Sequence, residues 1–392
     1  MNRLLNLADR TPDSRERYVD FLRALSIAVV VFGHWLAAVI TWRDGDIGGT
    51  NALEVVDGMW ALTWVLQVMP LFFFVGGFSN LKTWRALRQR GGDYTEFLHG
   101  RIARLMKPTA IFIGFWMVLT FVLENVFTVP PEALRAATQL MGAPLWFLGV
   151  YLLVVTVTPV MVSLHERFRA RAVVGLALAA AAIDFARLAL EVPVIGVLNF
   201  AVVWLFVHQL GFFYADGTFN RMGRAAFGTM AGAGFGALVA LTNIGVYSRS
   251  MVGVNDGMVG NNAPPSVCIC ALALAMVGVA MLLRPTASRL LADRRIWALT
   301  IGVNTIIMTA YLWHLSAMVL GVLIMYPLGF PQPVTGTLAW WTLRPVWLAS
   351  LTVFLVPFLI ALGRFERPRS GRPSIRRNAA PVAAQSKENH HA

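Results

Sequence analysis

The chain has 392 residues, of which 57% are hydrophobic and 14% charged, and its mean hydropathy is +0.63. A soluble domain carries about a quarter charged residues, so this composition excludes a water-soluble globular protein of the same length. The 33 Lys and Arg against 20 Asp and Glu give a net charge of +13. In so apolar a chain that excess reads as membrane topology and attraction to anionic headgroups, not as nucleic-acid binding.

Apolar runs of bilayer-spanning length, roughly twenty residues as helix, recur along the chain. They predict an all-α polytopic bundle of about ten spans, near 21–41, 59–78, 108–128, 145–164, 172–190, 197–214, 225–246, 265–283, 301–325 and 346–363. Residues 1–20 read as a cytoplasmic N-terminal segment, 21–363 as one membrane domain and 364–392 as a disordered basic tail. The first span is full length and follows charged residues, so no cleavable signal is expected. The fifth span contains Asp184 and Arg187, three apart and able to pair on one helical face. Loops on the side of the N-terminus hold 27 Lys and Arg, and loops on the other side hold 4. The positive-inside rule then places both termini in the cytoplasm, and the expected location is the inner (plasma) membrane. Cys268 and Cys270 lie two apart in one span and point to different sides, which supports neither a disulfide nor a metal site. The outer loops 42–58, 247–264 and 327–345 are short, so chemistry is expected within the bundle.

Ionisable residues at membrane depth are costly and face the bundle interior. In "LRALSIAVVVFGHWL" (Leu22 to Leu36), Arg23 and His34 are eleven positions apart. At about 100° per residue they share one helical face, separated along the axis by roughly 16 Å. Asp20 is one turn before Arg23 and is expected to pair with it. Neutral imidazole suits proton acceptance near neutral pH, which makes His34 the leading candidate. His314, flanked by Tyr311 and Trp313, is predicted at a comparable depth, about 20 Å into its span. His208, followed by Gln209, is a third histidine within a span. No two histidines have helical i, i+4 spacing, and no metal is expected. In the loop 79–107, Arg101, Arg104 and Lys107 recur every third residue and would form a stripe if helical. That stripe reads either as topology or as a phosphate clamp.

"LRALSIAVVVFGHWL" resembles the first membrane helix of the acyltransferase-3 family of integral membrane acyltransferases, which carries an arginine, ten residues and a histidine. "MPLFFFVGGFSN" (Met69 to Asn80) is similar to the family's second-helix signature, although many members have Ser for the first Gly. "RIARLMKP" (Arg101 to Pro108) resembles its paired-arginine motif, and "PLWFLGVYLLVV" and "YLWHLSAMV" its fourth and ninth helices. The resemblance runs in order over about residues 17–363. The Gly76–Gly77 pair, "VHQLGFFYADG" and "NNAPP" (Asn261 to Pro265) look like an actinobacterial branch. The resemblance implies transfer of a small acyl group, often acetyl, from cytoplasmic acyl-CoA to a sugar hydroxyl of a surface or secreted molecule. It implies no permanently bound cofactor, with acyl-CoA (acetyl-CoA above all) as donor substrate. The family's essential histidine falls on His34, its helix-one arginine on Arg23 and its paired arginines on Arg101 and Arg104. Some members carry a fused esterase-like domain, which these residues lack.

This suggests a donor whose phosphates meet Arg23, Arg101, Arg104 and Lys107 while its arm follows the Arg23–His34 face. His34 then acts as general base, or becomes acylated itself. His314, Tyr311 and Asn304 are candidate oxyanion donors. Asp20, His208, Gln209, Asn261, Asn262 and Asn304 are structural or acceptor-side polar groups. The expected partners are the acyl-CoA donor, a sugar-containing acceptor (a lipid-linked one included) and membrane lipids, with no nucleic acid. The rival readings are a transporter or flippase for a lipid-linked glycan or small metabolite, and an assembly partner of an envelope complex. Against transport, the two halves show no matching broken helices.

Overall fold

A computed structural model describes residues 2–366 except 13, 44–45, 128, 130 and 256. The tail expected to be disordered lies outside the described residues beyond Glu366. Among the described residues sixteen α-helices follow one another, with two short β-hairpins between them. Helix α1 (Asn2–Asp9) precedes α2 (Arg17–Ala37), which leads into β1 (Ala38–Arg43), β2 (Asp46–Asn51) and the single turn α3 (Ala52–Val55). Then come α4 (Trp60–Leu66), α5 (Met69–Gln89), α6 (Tyr94–Asn125), α7 (Pro131–Gly142), α8 (Leu145–Thr156) and α9 (Thr158–Phe168). The second half holds α10 (Ala170–Leu188), α11 (Asn199–Ala215), α12 (Arg224–Asn243), the two-residue strands β3 (Val254–Asn255) and β4 (Met258–Val259), and α13 (Val267–Leu290). It closes with α14 (Arg294–Asn304), α15 (Ile307–Met325) and α16 (Leu338–Leu362).

Nine helical stretches among the described residues are long and apolar enough to cross a membrane. Helix α10 is long enough but carries Arg171, Asp184 and Arg187. It lies antiparallel to α11: Arg169 at its start bonds Asp216 just past the end of α11 at 2.6 Å, and Asp184 bonds Asn199, the first residue of α11, at 3.0 Å. The two helices therefore run through the same depth, and α10 makes the tenth crossing. Asp184 is held by the predicted Arg187 at 3.4 Å. It also accepts from Tyr247 at 3.2 Å and the Val267 amide at 2.8 Å, which leaves the buried carboxylate well satisfied.

Several boundaries differ from the hydropathy reading, each for a physical reason. The first span, α2, stops at Ala37, and β-branched Val39, Ile40 and Thr41 continue as a strand. The backbone edge of that strand is satisfied: Gln332 bonds Trp42 N at 2.7 Å and Trp42 O at 3.1 Å, and Tyr326 donates to Ile40 O at 2.9 Å. The "loop" 79–107 is two helix ends joined by a turn at Arg90–Asp93, with Gly91 at φ +80°. Asp93 caps α6 by accepting from Glu96 N at 2.8 Å. Pro108 therefore lies inside α6 and does not start a span. The second and ninth spans are broken, at Gln67–Val68 and at Thr305–Ile306.

With little hydrophobic drive between helices in lipid, small residues let backbones approach. A Cβ on Gly77 would lie 2.0 Å from His208 O, and one on Gly211 would lie 2.1 Å from Phe74 O. These two glycines set the α5–α11 crossing. Gly234 and Gly278 do the same for α12 and α13, where added Cβ atoms would meet Ala275 N at 2.4 Å and Ala231 N at 2.6 Å. Gly211→Ala is expected to lower the unfolding midpoint in detergent by an overpacking cost of about 1–3 kcal/mol. Gly236→Ala, on α12 with nothing within 4 Å, should be neutral or stabilising. Equal effects of the two changes would refute the crossing.

Candidate active site

Because α2 is unbroken from Arg17 to Ala37, Arg23 and His34 do share one face. His34 Nδ1 lies 2.8 Å from His314 Nε2, with the ring planes 10° apart. His314 Nδ1 is in turn 2.6 Å from the Tyr311 carbonyl oxygen. A carbonyl only accepts, so His314 Nδ1 carries the proton and its Nε2 offers a lone pair. In the neutral pair His34 Nδ1 must then be the donor, which leaves the lone pair on His34 Nε2. The arrangement is braced by indoles. Trp35 Nε1 donates to His314 O at 2.9 Å, and Trp347 Nε1 donates to Trp35 O at 2.9 Å. His314 itself is fully buried.

His34 is exposed to a cavity of about 470 Å³ in the half of the bundle away from the basic loops. That volume falls in the range typical of small-molecule sites, roughly 300–1,000 Å³. Its walls include Val29, Val30, Leu62, Leu66, Phe147, Leu315 and Met318, with Thr63, Gln67, Asn262 and Tyr311 among the polar groups. The break between α4 and α5 falls at this wall, where irregular backbone at membrane depth lines a cavity and not lipid. Of the residues predicted from sequence, His34, Tyr311 and Asn262 line the cavity. Asn262 Oδ1 is buried without a partner among the described residues. Tyr311 donates its hydroxyl proton to Pro144 O at 2.5 Å. In this arrangement neither Tyr311 nor His314 Nε2 has a proton to offer an oxyanion.

A second polar cluster lies at the basic end of α2, α5 and α6. Asp20 accepts from Arg23 at 3.0 Å and from Arg15 at 2.6 Å. Arg23 donates to Ser79 Oγ at 2.8 Å, and Arg101 donates to Ser79 O at 2.7 Å and Thr83 Oγ1 at 2.5 Å. Arg101 thus turns inward, whereas Arg104 and Lys107 are exposed on the same helix. Asn304 donates to Asp20 O at 2.9 Å, and so sits with this cluster and not beside His34, which removes it as an oxyanion donor. The groove expected along the Arg23–His34 face is filled: Ile27 is buried, and the cavity reaches α2 only from Val29 onward. Phe147 at the cavity wall, with Phe72 and Tyr151, forms an aromatic cluster with centroids 5.0–6.0 Å apart. Tyr151 packs over Gly76, where a Cβ would lie 3.1 Å from its ring. Gly76 is one turn from Ser79, so these aromatics stand between the cavity and the arginines.

His208 meets the Asn80 amide at 3.0 Å beside the α5–α11 crossing. Gln209 is 3.0 Å from His165 Nδ1, and Asn261 ties Ser248, Ser250 and Ser266 within an outer loop. None of these three lines the cavity. Among the described residues no group of three His, Cys, Asp or Glu is placed to hold a metal. Sequence reasoning missed Ser79, although it lies in the quoted "GGFSN", and Gln67, a lone amide just before Pro70 in an apolar run. It also missed His165, which bonds Asp216 Oδ2 at 3.1 Å.

The family model for an acyltransferase domain, that of the acyltransferase-3 family, matches residues 16–364. The chain belongs to that family. It is a multi-pass membrane acyltransferase, and the match runs from just before α2 to just past α16. No curated protein and no solved structure matches it.

In the acyltransferase, Asp216 lies beyond the end of α11 and pins α9, α10 and α11 together through His165 and Arg169. Burial alone would raise its pKa, but hydrogen bonds from Thr218, His165 and Arg169 outweigh that and hold it at about 2. A depressed carboxylate contributes stability that is present above its unfolded range and lost as the pH falls through its folded value. The unfolding midpoint in detergent should therefore drop as the pH approaches about 2, and Asp216→Asn should flatten that decline. A variant with the same acid profile as the parent would contradict this.

Proposed function

We propose that the acyltransferase moves a short acyl group, acetyl foremost, from acyl-CoA to a hydroxyl of a sugar-containing acceptor, and that His34 is the general base. The observation that carries this reading is the oriented histidine pair at the cavity wall: His34 lines the cavity and its Nδ1 is engaged by His314, which leaves Nε2 as the ring nitrogen available to take a proton. The acceptor hydroxyl gives its proton to Nε2 as its oxygen attacks the thioester carbonyl. The carbon–sulfur bond then breaks, and the leaving thiolate recovers the proton from Nε2. In between, the imidazolium keeps Nδ1–H directed at His314 Nε2, so its charge is partnered without a change of geometry.

The basic end is read as cytoplasmic from the bias of Lys and Arg between the loops, and the membrane is taken to be the plasma membrane. Arg23, Arg101, Arg104 and Lys107 then face the compartment that supplies acyl-CoA. Guanidinium groups suit its phosphates. Arg23 and Arg101 are already oriented by Ser79 and Thr83, while Arg104 and Lys107 are exposed for capture. The acyl arm has roughly 16 Å to travel from Arg23 to His34, and Phe72, Phe147 and Tyr151 must part to admit it. Keeping the thioester inside the bundle protects it from hydrolysis.

In proteoliposomes with labelled acetyl-CoA, His34→Ala should lower transfer by about 10²–10⁴-fold, the usual span for a general base, while the protein stays folded. Near-parental transfer would end the proposal. Arg104→Ala should raise the KM for acyl-CoA with kcat little changed, and an unchanged KM would remove the phosphate clamp.

A further inference from the structure

The His34 cavity has two kinds of wall, and together they specify its second substrate. On one side are amides with nothing to bond. Gln67 is buried at the α4–α5 break, lines the cavity, and its side chain has no hydrogen-bond partner among the described residues. Asn262 also lines the cavity, and its side chain has no hydrogen-bond partner among the described residues, its Oδ1 being buried against the protein. Thr63 beside them is already committed, since it donates to Trp60 O at 2.6 Å and accepts from Met251 N at 2.9 Å. Asn51 caps α3 by accepting from Leu53 N at 3.0 Å. Two free amides beside the reactive histidine suit a group bearing several hydroxyls, because buried amides left unpaired are costly.

The other side is apolar and open sideways. Leu62, Leu140 and Trp146 line the cavity, yet they remain 38%, 36% and 37% exposed. They belong to α4, α7 and α8, so the cavity is flanked between α4 and the α7–α8 pair by apolar surface that continues to the outside of the bundle. In a membrane protein that outside is hydrocarbon. An acceptor that is soluble throughout would gain nothing from this wall, whereas a lipid tail would bury against it.

We infer that the acceptor is an amphiphile, a hydroxylated sugar headgroup carried on a hydrocarbon chain, that enters laterally from the bilayer. Its headgroup binds Gln67 and Asn262, and its chain lies along Leu62, Leu140 and Trp146. The inference rests on the proposed function for the identity of the chemistry, but the binding site itself does not depend on catalysis.

The test is therefore a binding measurement on the full chain in nanodiscs, without acyl-CoA. The probe is dodecyl β-glucoside carrying a diazirine at the chain end, photolysed and mapped by mass spectrometry. Labelling is expected in residues 140–147 and around Leu62, competed by dodecyl glucoside and not by methyl glucoside or glucose. Gln67→Ala and Asn262→Ala should each weaken competition roughly tenfold, about one lost hydrogen bond. Trp146→Ala, on the exposed wall where folding is least at risk, should weaken binding of the dodecyl but not of a butyl glucoside. Val353→Ala, on a distant lipid-facing surface, should change nothing. Competition by glucose as strong as by the dodecyl compound would overturn the inference in favour of a soluble sugar. Labelling spread over the lipid-facing helices without competition would overturn it as annular lipid. If acyl transfer fails in a separate assay while this labelling holds, the donor reading is at fault and the acceptor site stands.

Discussion

The hydrogen bond between His34 Nδ1 and His314 Nε2 is the constraint on which the site depends. Its direction follows from a group that has no choice, the Tyr311 carbonyl, which can only accept. Two hydrogen bonds in series, carbonyl to His314 and His314 to His34, convert that fact into a lone pair on Nε2 of a histidine that lines the cavity. The surrounding bonds protect the direction. Tyr311 is tied to α8 through Pro144, and His314 is tied back to α2 through Trp35. Each contact crosses between helices, so the orientation of one imidazole is secured by the packing of α2, α8, α15 and α16.

A membrane interior leaves polar groups few partners, and the rest of the molecule reflects that. Asp184, Asp20 and Asp216 each collect several donors; Asp184 and Asp216 tie helices together, while Asp20 gathers Arg15 and Arg23 at the start of α2. The exceptions mark function. Gln67 lines the cavity at a break in the backbone of the kind tolerated only where it lines a void, Asn262 lines it from the outer loop before α13, and neither side chain has a partner among the described residues. Asn80, His208 and Gln209 also keep unpartnered atoms, but they are sealed at helix crossings where no substrate reaches. The free amides that matter are those that share a cavity with His34.

Much of the fold could be read from hydropathy, because span length and the bias of Lys and Arg are one-dimensional signals. The shared face of Arg23 and His34 was legible for the same reason, since both lie on one helix. The His34–His314 bond was not, since it joins residues 280 apart and no local pattern encodes it. The helical nature of 79–107 escaped because helix ends that project beyond the membrane lose their apolar signature. The strand after Ala37 escaped for the opposite reason, as a short apolar run fits strand and helix alike. Arg101 shows the limit most clearly. Its spacing with Arg104 and Lys107 was visible, but its inward turn depends on Ser79 and Thr83 of a neighbouring helix. Asn304, placed by sequence among the oxyanion candidates, belongs to the Asp20 cluster because α14 ends before α15 begins.

The central claim is that the donor reaches His34 from the basic end of the bundle and the acceptor from the bilayer beside the other half. It is tested most directly by sidedness in proteoliposomes of uniform orientation, with labelled acetyl-CoA confined to one face and an alkyl glucoside supplied to either leaflet. Label should reach the glycoside only when acetyl-CoA is on the face of the basic loops, and most rapidly when the glycoside is in the opposite leaflet. Transfer that proceeds equally with acetyl-CoA on the other face would contradict it.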